Sequence, residues 1–413
     1  MIMKTKICLT TLEYPPDVGG VGESVSRIAK MLQDLGYEVH VAVFHSKLRK
    51  ITDKPKRTGC KTNIQDGITV HRLKAAIRTE LVAIQDYLCE IYAQLKILHQ
   101  QYQFDLFHAF FINETGFLTT MLAKEFNLPV INSIRGNDLH KHIFDPKQQA
   151  KISWTLSNSD WTTFVSGDLQ RRAEVFVPQI IGKSTCFWNS IVPIDFETIP
   201  QPTNLPELRG LVIGSVGRFR DKKGIDFLID ACVSLKDELE FTLLLIGDFV
   251  AKEREYWLEV VGNSGIADRI TITGILPRVE ALGYLQHIDL FAIPSIHDGC
   301  PNAMLEAMLA GKAILGSTVD AIGDILDDGV DSLLVPPADA KAIRHAIRQF
   351  ARHPEQRQAM GEAARRKVLE QLAPEVERQN WSQVYERVLS RRVTSAWPNA
   401  KVSADTPAIA AFG

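Results

Sequence analysis

Short apolar runs separated by amphipathic stretches recur along most of this 413-residue chain, and no other feature limits the fold as tightly. Lys6–Leu9 reads as a strand. Glu23–Leu35 places Val25, Ile28, Met31, Leu32 and Leu35 on one helical face, and Val39–Phe44 returns to strand. Further strands are predicted at Asp105–Phe111, Pro129–Ile134, Trp161–Val165 and Thr185–Asn189. Such alternation implies parallel β-α-β units, because two parallel strands need a crossover between them. Ile199-Pro-Gln-Pro-Thr-Asn-Leu-Pro206 then puts three prolines in eight residues, which suits neither helix nor strand. The pattern restarts at Leu211–Val216, Thr242–Ile246, Ile270–Thr273, Leu290–Ile293, Ala313–Leu315 and Leu333–Val335. The expected fold is α/β: two doubly wound, Rossmann-like domains, 1–198 and 207–373, facing a cleft at the carboxyl ends of their strands. From Asp339 to about Arg392 the chain is helical and charged, and 396–413 reads as an aperiodic tail.

Charge excludes one large class of function. With 47 basic and 49 acidic residues the net charge is −2, so nucleic acid is not held by charge alone. Six scattered cysteines include no C-x-x-C pair, which argues against a disulfide framework or a zinc knuckle. No apolar run approaches the roughly 20 residues of a membrane span, and Met1 to Lys6 lead straight into a strand. A cytoplasmic location is expected.

Three loops carry chemistry. Pro15-Pro-Asp-Val-Gly-Gly-Val-Gly22 joins the first strand to the first helix, where glycines admit a ligand and the helix offers amides to an anion. It lacks the dinucleotide fingerprint, so it is either a phosphate contact or a tight turn, and a nicotinamide oxidoreductase is disfavoured. Gly214-Ser-Val-Gly-Arg-Phe-Arg-Asp-Lys-Lys-Gly224 ends the first strand of the second domain; Arg218 and Lys223 lie five apart and suit one pyrophosphate. Pro294-Ser-Ile-His-Asp-Gly-Cys-Pro-Asn-Ala-Met-Leu-Glu-Ala-Met308 combines a glycine turn, Asn302 as expected N-cap, and two carboxylates, Asp298 and Glu306, eight apart. Its amides from Gly299 to Ala303 suit phosphate, and its carboxylates suit sugar hydroxyls.

These loops, in this order, resemble those of retaining glycosyltransferases of family 4, which have the GT-B fold. Gly217, Arg218, Lys223 and Gly224 match that family's G-R-x4-K-G. Asp298 and Glu306 match its E-x7-E with Asp in the first place. Gly19-Gly20 resembles its N-terminal glycine loop, Gly247-Asp248 its G-D/G-x turn, and Ser166 its strand-end serine. Two stretches depart from the pattern: Arg135 replaces a histidine facing the donor sugar, with Asp138 following, and Asn189-Ser-Ile-Val192 replaces Asn-Gly-Val-Asp. The resemblance implies a helix over 374–395 that crosses back to the first domain, with Trp381 and Tyr385 on its packing face.

It also implies transfer of a hexosyl group from a nucleotide sugar, UDP-glucose first and GDP-mannose second, to a hydroxyl of a glycan or lipid-linked glycan, with retention. Arg218 and Lys223 would meet the leaving diphosphate, helped by the loop amides of Gly299, Cys300 and Asn302, with Pro301 between them. Glu306 would hold ribose, Asp298 the donor sugar, and backbone around Ile275–Arg278, Leu276 included, the base. Leu305 completes the donor set, and Arg135 and Asp138 the catalytic set. No cofactor is expected beyond the donor as co-substrate. With no two aspartates spaced two apart, no metal is expected either. Lys47, Arg49, Lys50, Lys54, Lys56, Arg57 and Lys61 set seven cations against Asp53, a solvated loop or a patch for the anionic inner face of a membrane. The alternative function is a nucleotide-sugar-binding protein without turnover.

Overall fold

The computed structural model of the protein describes residues 4–17, 19–44, 58–75 and 84–394. They build two α/β domains, each around a sheet that is wholly or mainly parallel. The first sheet contains β1 (Lys6–Thr11), β2 (Glu38–Phe44), β3 (Gly59–Gln65), β4 (Ile68–Lys74), β5 (Leu106–Phe110), β6 (Val130–Ile134), β7 (Trp161–Phe164) and β8 (Ser184–Cys186). Their order is β3-β4-β2-β1-β5-β6-β7-β8, with only β3 antiparallel to its neighbour. The second holds β9 (Leu211–Phe219), β10 (Phe241–Phe249), β11 (Ile270–Ile272), β12 (Leu290–Ile293), β13 (Ala313–Ser317) and β14 (Ser332–Val335). Its order is β11-β10-β9-β12-β13-β14, parallel throughout. Strand order reverses beside β1 in one sheet and beside β9 in the other, and the loops after those strands carry two of the three predicted motifs.

The hairpin β3–β4 and the helix Ile84–Tyr102 go beyond what periodicity predicted. β3 is an edge strand, exposed along most of its length, so it carries no apolar alternation. Its turn is Asp66-Gly67, where both residues take positive φ, 50° and 79°, as an Asp-Gly hairpin turn requires.

Burial on both faces explains why the central strands read as continuous apolar runs. In β10, Leu243 and Leu245 join a core with Ile213, Leu228 and Phe350. Leu244 and Ile246 point the other way, toward Phe291, Met304 and Leu305.

The helix Pro374–Thr394 crosses back and packs on the first domain. Trp381, Val384, Tyr385 and Val388 share a core with Ile7, Val25 and Phe110. Trp381 meets Phe187 edge-on at 4.6 Å, and the Tyr385 hydroxyl lies 2.6 Å from His108 Nδ1. Glu377, 3% exposed, accepts from Arg27 Nε at 2.9 Å, the Ser190 amide at 2.9 Å and Trp381 Nε1 at 3.2 Å.

The predicted tail, 396–413, and the cations Lys47, Arg49, Lys50, Lys54, Lys56 and Arg57 lie outside the described residues. Lys61 is exposed on β3. No helix among the described residues is long and apolar enough to cross a membrane.

Candidate active site

The loop after β9 is threaded past the end of β12. Gly224 adopts φ 63°, and a Cβ there would sit 2.1 Å from the Pro294 carbonyl oxygen, so only glycine fits. The Ile296 amide donates to the Lys222 carbonyl at 2.8 Å and joins the two loops. This brings Lys223 Nζ into direct contact with Asp298 Oδ2 and Lys222 Nζ to 3.8 Å from Asp298 Oδ1. Burial works against the charge on Asp298, but Lys223 and Lys222 together hold its carboxyl below the usual carboxylate range.

These groups line a cavity of about 420 Å³ between the domains. Arg218, Lys222, Lys223 and Asp298 face it from the second domain, along with Gly217 and the loop Gly299 to Ala303. The helix Asn302–Leu309 begins there without a side-chain cap. Its N-cap is Pro301, not Asn302 as the sequence suggested, because the Asn302 side chain accepts from Asn189 Nδ2 at 3.2 Å. From the first domain come Gly19, Gly20 and the start of the helix Gly20–Asp34, which also lacks a side-chain cap. Two helix N-termini therefore open on a cavity already lined with cations, an arrangement suited to a polyanion.

Arg135 faces the same cavity. Its Nη2 donates to Asn189 Oδ1 at 2.6 Å, and burial pushes its guanidinium down to about 10, which leaves it charged at neutral pH. Gly299 makes the domains meet here: a Cβ on it would lie 2.4 Å from the Arg135 carbonyl oxygen.

Glu306 lines an adjoining cavity of about 730 Å³ with Arg278, and Asn302 borders both spaces. Burial raises the Glu306 carboxyl above its ordinary range, even though Arg278 Nε donates to it at 2.8 Å.

Four predicted residues do not reach either cavity. Asp138 is fully buried and accepts from the amides of Ile112 at 3.1 Å and Arg135 at 3.0 Å, so it shapes the loop that carries Arg135. Leu305 is buried in the second core, and Leu276 packs against that core. Gly247 serves backbone packing, since a Cβ there would sit 1.9 Å from the Gly217 carbonyl oxygen.

Other groups went unnoticed in the sequence. Glu13 lines the cavity and presses on Gly19, where a Cβ would lie 2.0 Å from Glu13 Oε2. Arg220, Lys222, Asn137 and Phe111 also line it. Arg220 and Lys222 lie within the Gly214–Gly224 motif without being singled out there, and Glu13, Asn137 and Phe111 reach the cavity only through the way the loops meet. Among the described residues, His140, Asp168 and Asp320 hold potential metal-ligand atoms within 4.8 Å of one another. They are already paired, Asp168 with Arg172 Nε at 2.8 Å and Asp320 Oδ1 with His140 Nε2 at 2.9 Å.

Comparison with known proteins agrees with this architecture. Residues 19–179 match the glycosyl transferase 4-like domain, and residues 210–353 match glycosyl transferases group 1. The chain belongs to the family 4 type of GT-B glycosyltransferases. Within that family it is 26% identical over 367 residues to the putative teichuronic acid biosynthesis glycosyltransferase TuaC of Bacillus subtilis, covering 84% of this chain and 89% of that one. It is 23% identical over 395 residues to N-acetyl-alpha-D-glucosaminyl L-malate synthase of Bacillus anthracis, covering 94% and 98%. The match to 2-deoxystreptamine glucosyltransferase of Streptomyces kanamyceticus, at 29% identity, spans 39% of this chain and 42% of that protein. Among solved structures, sucrose-phosphate synthase from Thermosynechococcus elongatus superposes with a TM-score of 0.78 at 20% identity, over 94% of this chain and all of that one. Anabaena HepE in complex with UDP gives 0.70 at 16% identity, over 93% and 100%. At such identities these structures speak for the fold.

Proposed function

We propose that this glycosyltransferase moves a hexosyl group from a nucleotide sugar, UDP-glucose by preference, to a hydroxyl of a glycan or lipid-linked glycan, with retention at the anomeric carbon and a role in polysaccharide or glycoconjugate synthesis. One observation carries the reading: two adjoining cavities divide the functional groups as a nucleotide sugar would. The smaller gathers Arg218, Lys222, Lys223, Arg135 and two helix N-termini around Asp298, and the larger holds Glu306. The diphosphate fits the cations and amides, the ribose hydroxyls Glu306, and the sugar hydroxyls Asp298. HepE, whose fold is similar, has been crystallised with UDP-glucose, and TuaC of Bacillus subtilis is named a putative teichuronic acid biosynthesis glycosyltransferase, which supports the choice of donor and product class.

In this reading the bond from C1 to the diphosphate oxygen breaks while the acceptor oxygen bonds to C1 on the same face. The acceptor proton passes to the departing phosphate oxygen. The cations stabilise the charge that develops on that oxygen, often the largest catalytic contribution. They do for the diphosphate what a divalent ion does elsewhere, so turnover is expected to persist in a chelator. The cavity and its loops, rather than a bound cofactor, supply the chemistry. Lys61, exposed on β3, is the one described member of the cationic run that would meet an anionic membrane face carrying a lipid-linked acceptor.

The test is the anomeric configuration of the product, followed by proton NMR from α-linked UDP-glucose. An α-linked product supports the reading; a β-linked one overturns retention. Arg135, standing where the family has histidine, favours the second reading of binding without turnover. That reading predicts nucleotide binding by calorimetry with no hydrolysis of any donor.

A further inference from the structure

The Asp298 loop is held from the other domain through a buried carboxylate. We propose that His140 and Asp320 form an interdomain relay that positions Asp298 for the donor sugar, so that the second domain's sugar-binding carboxylate is correctly set only when the first domain is docked against it. The inference rests on the reading of Asp298 given above.

The geometry is specific. Asp320 follows β13 in the second domain, and His140 ends the short helical turn Asn137–His140 that carries on from Arg135 in the first. Asp320 Oδ1 lies 2.9 Å from His140 Nε2, and Asp320 Oδ2 accepts the Asp298 amide at 2.8 Å. One carboxylate thus bonds the first domain with one oxygen and the Asp298 backbone with the other. Since a carboxylate can only accept, Nε2 of His140 must carry the proton. The other nitrogen, His140 Nδ1, is buried with no hydrogen-bond partner, so the ring makes its polar contact through Asp320. The two side chains are 1% and 2% exposed, so water does not compete for the bond. His297, next to Asp298 in sequence, lies 4.6 Å from the His140 ring, which backs the loop with a second ring from its own side.

Asp320 is held at a cost. Its φ is 46°, a left-handed conformation unfavourable for a residue with a side chain, and such strain persists only where the surroundings hold it. Ser166 lies 3.5 Å from Asp320 Oδ1, and one turn on in the same helix Asp324 Oδ2 accepts the Gly167 amide at 2.6 Å. Two carboxylates of the second domain therefore meet the N-terminus of the first-domain helix Gly167–Phe176, where negative charge is favoured. Asp324 fastens the domains at this point, while Asp320 also bonds the Asp298 amide.

His140→Ala and Asp320→Asn test the relay, with donor turnover and UDP affinity measured separately and Asp298→Asn alongside. The side-chain amide that Asp320→Asn introduces would set a donor against either the Asp298 amide or His140 Nε2. Each relay variant is expected to lower kcat by about ten- to a hundredfold, as misplacement of a reacting group does, with UDP affinity within about twofold of the parent. The double variant should be no slower than the slower single one, because both remove the same link. His140→Gln, which can still donate to Asp320, should recover most of the loss. Parental kcat in His140→Ala, multiplying losses in the double variant, or loss of UDP binding together with turnover would overturn the relay. If Asp298→Asn abolishes turnover while both relay variants are parental, the relay alone fails. If Asp298→Asn is itself parental, the role of Asp298 fails and takes the relay with it.

Discussion

Arg135 Nη2 and Asn189 Oδ1 are 2.6 Å apart, and the Asn189 amide reaches onward to the Cys300 carbonyl at 3.3 Å and to Asn302 Oδ1 at 3.2 Å. One asparagine thus ties the half-buried Arg135 of the first domain to the loop Gly299 to Asn302 of the second. Arg135→Lys keeps the charge but loses the planar fork that reaches Asn189. Turnover of the donor should fall about tenfold or more while UDP affinity stays near the parental value. Parental kcat in Arg135→Lys would show that the charge alone suffices.

On the proposed reading of Arg218 and Lys223 as a diphosphate clamp, removing either should weaken nucleotide binding itself. Arg218→Ala and Lys223→Ala each delete a charge-assisted contact of about 1.5–3 kcal/mol, so UDP affinity should drop by roughly ten- to a hundredfold. In Lys223→Ala the carboxyl of Asp298 also loses its nearest cation, so turnover should fall further than binding does. Isothermal titration with UDP decides: curves like the parent's in both variants would misplace the clamp.

The two carboxylates should separate by function. Glu306→Ala is expected to reduce affinity for UDP, whereas Asp298→Ala should impair donor turnover and spare UDP. They line different cavities, with Glu306 beside Arg278 and Asp298 beside the lysines, which is the basis of the distinction. Equal losses of UDP affinity in both variants would contradict it.

Glu377 provides a stability test with a defined pH sense. Burial would raise its pKa, but Arg27 and Ser190 outweigh burial and bring it below its ordinary value of 4.5. A carboxyl depressed in the folded state stabilises fully above its unfolded pKa and loses that contribution as pH falls through the folded value. Glu377→Gln should therefore cost about 2–3 kcal/mol at pH 7, and the gap from the parent should close below pH 4.5. Denaturant unfolding at several pH values gives the answer; a gap that stays constant into acid would rule out the ionised pair as its source.

The alternation of strands and helices, and the prolines at Ile199–Pro206, made both domains legible because parallel sheets bury both faces and so print continuous apolar runs. That Arg218, Lys223 and Asp298 line one cavity was legible because they sit at strand ends in short loops, where spacing fixes proximity. Asp138 and Leu305 do not line the cavities: sequence places them beside the site, but their side chains turn inward, one to backbone amides and the other to the core. Asn302 looked like an N-cap by residue type, yet a tertiary partner, Asn189, takes its side chain. Glu13 and the His140–Asp320 pair act through contacts between distant segments, which no local pattern encodes, and for Lys222 and Asn189 it is the partners, not the motifs they sit in, that sequence leaves open.

The central claim is that the two cavities together hold a nucleotide sugar for transfer. The most direct measurement is slow hydrolysis of UDP-, GDP- and ADP-sugars, which needs no acceptor, run with the parent and Lys223→Ala in a chelator. The expected result is nucleotide release from UDP-glucose by the parent, strongly reduced in the variant. Release from GDP-mannose alone would contradict the donor assignment, and no release from any donor despite tight nucleotide binding would contradict the claim of transfer.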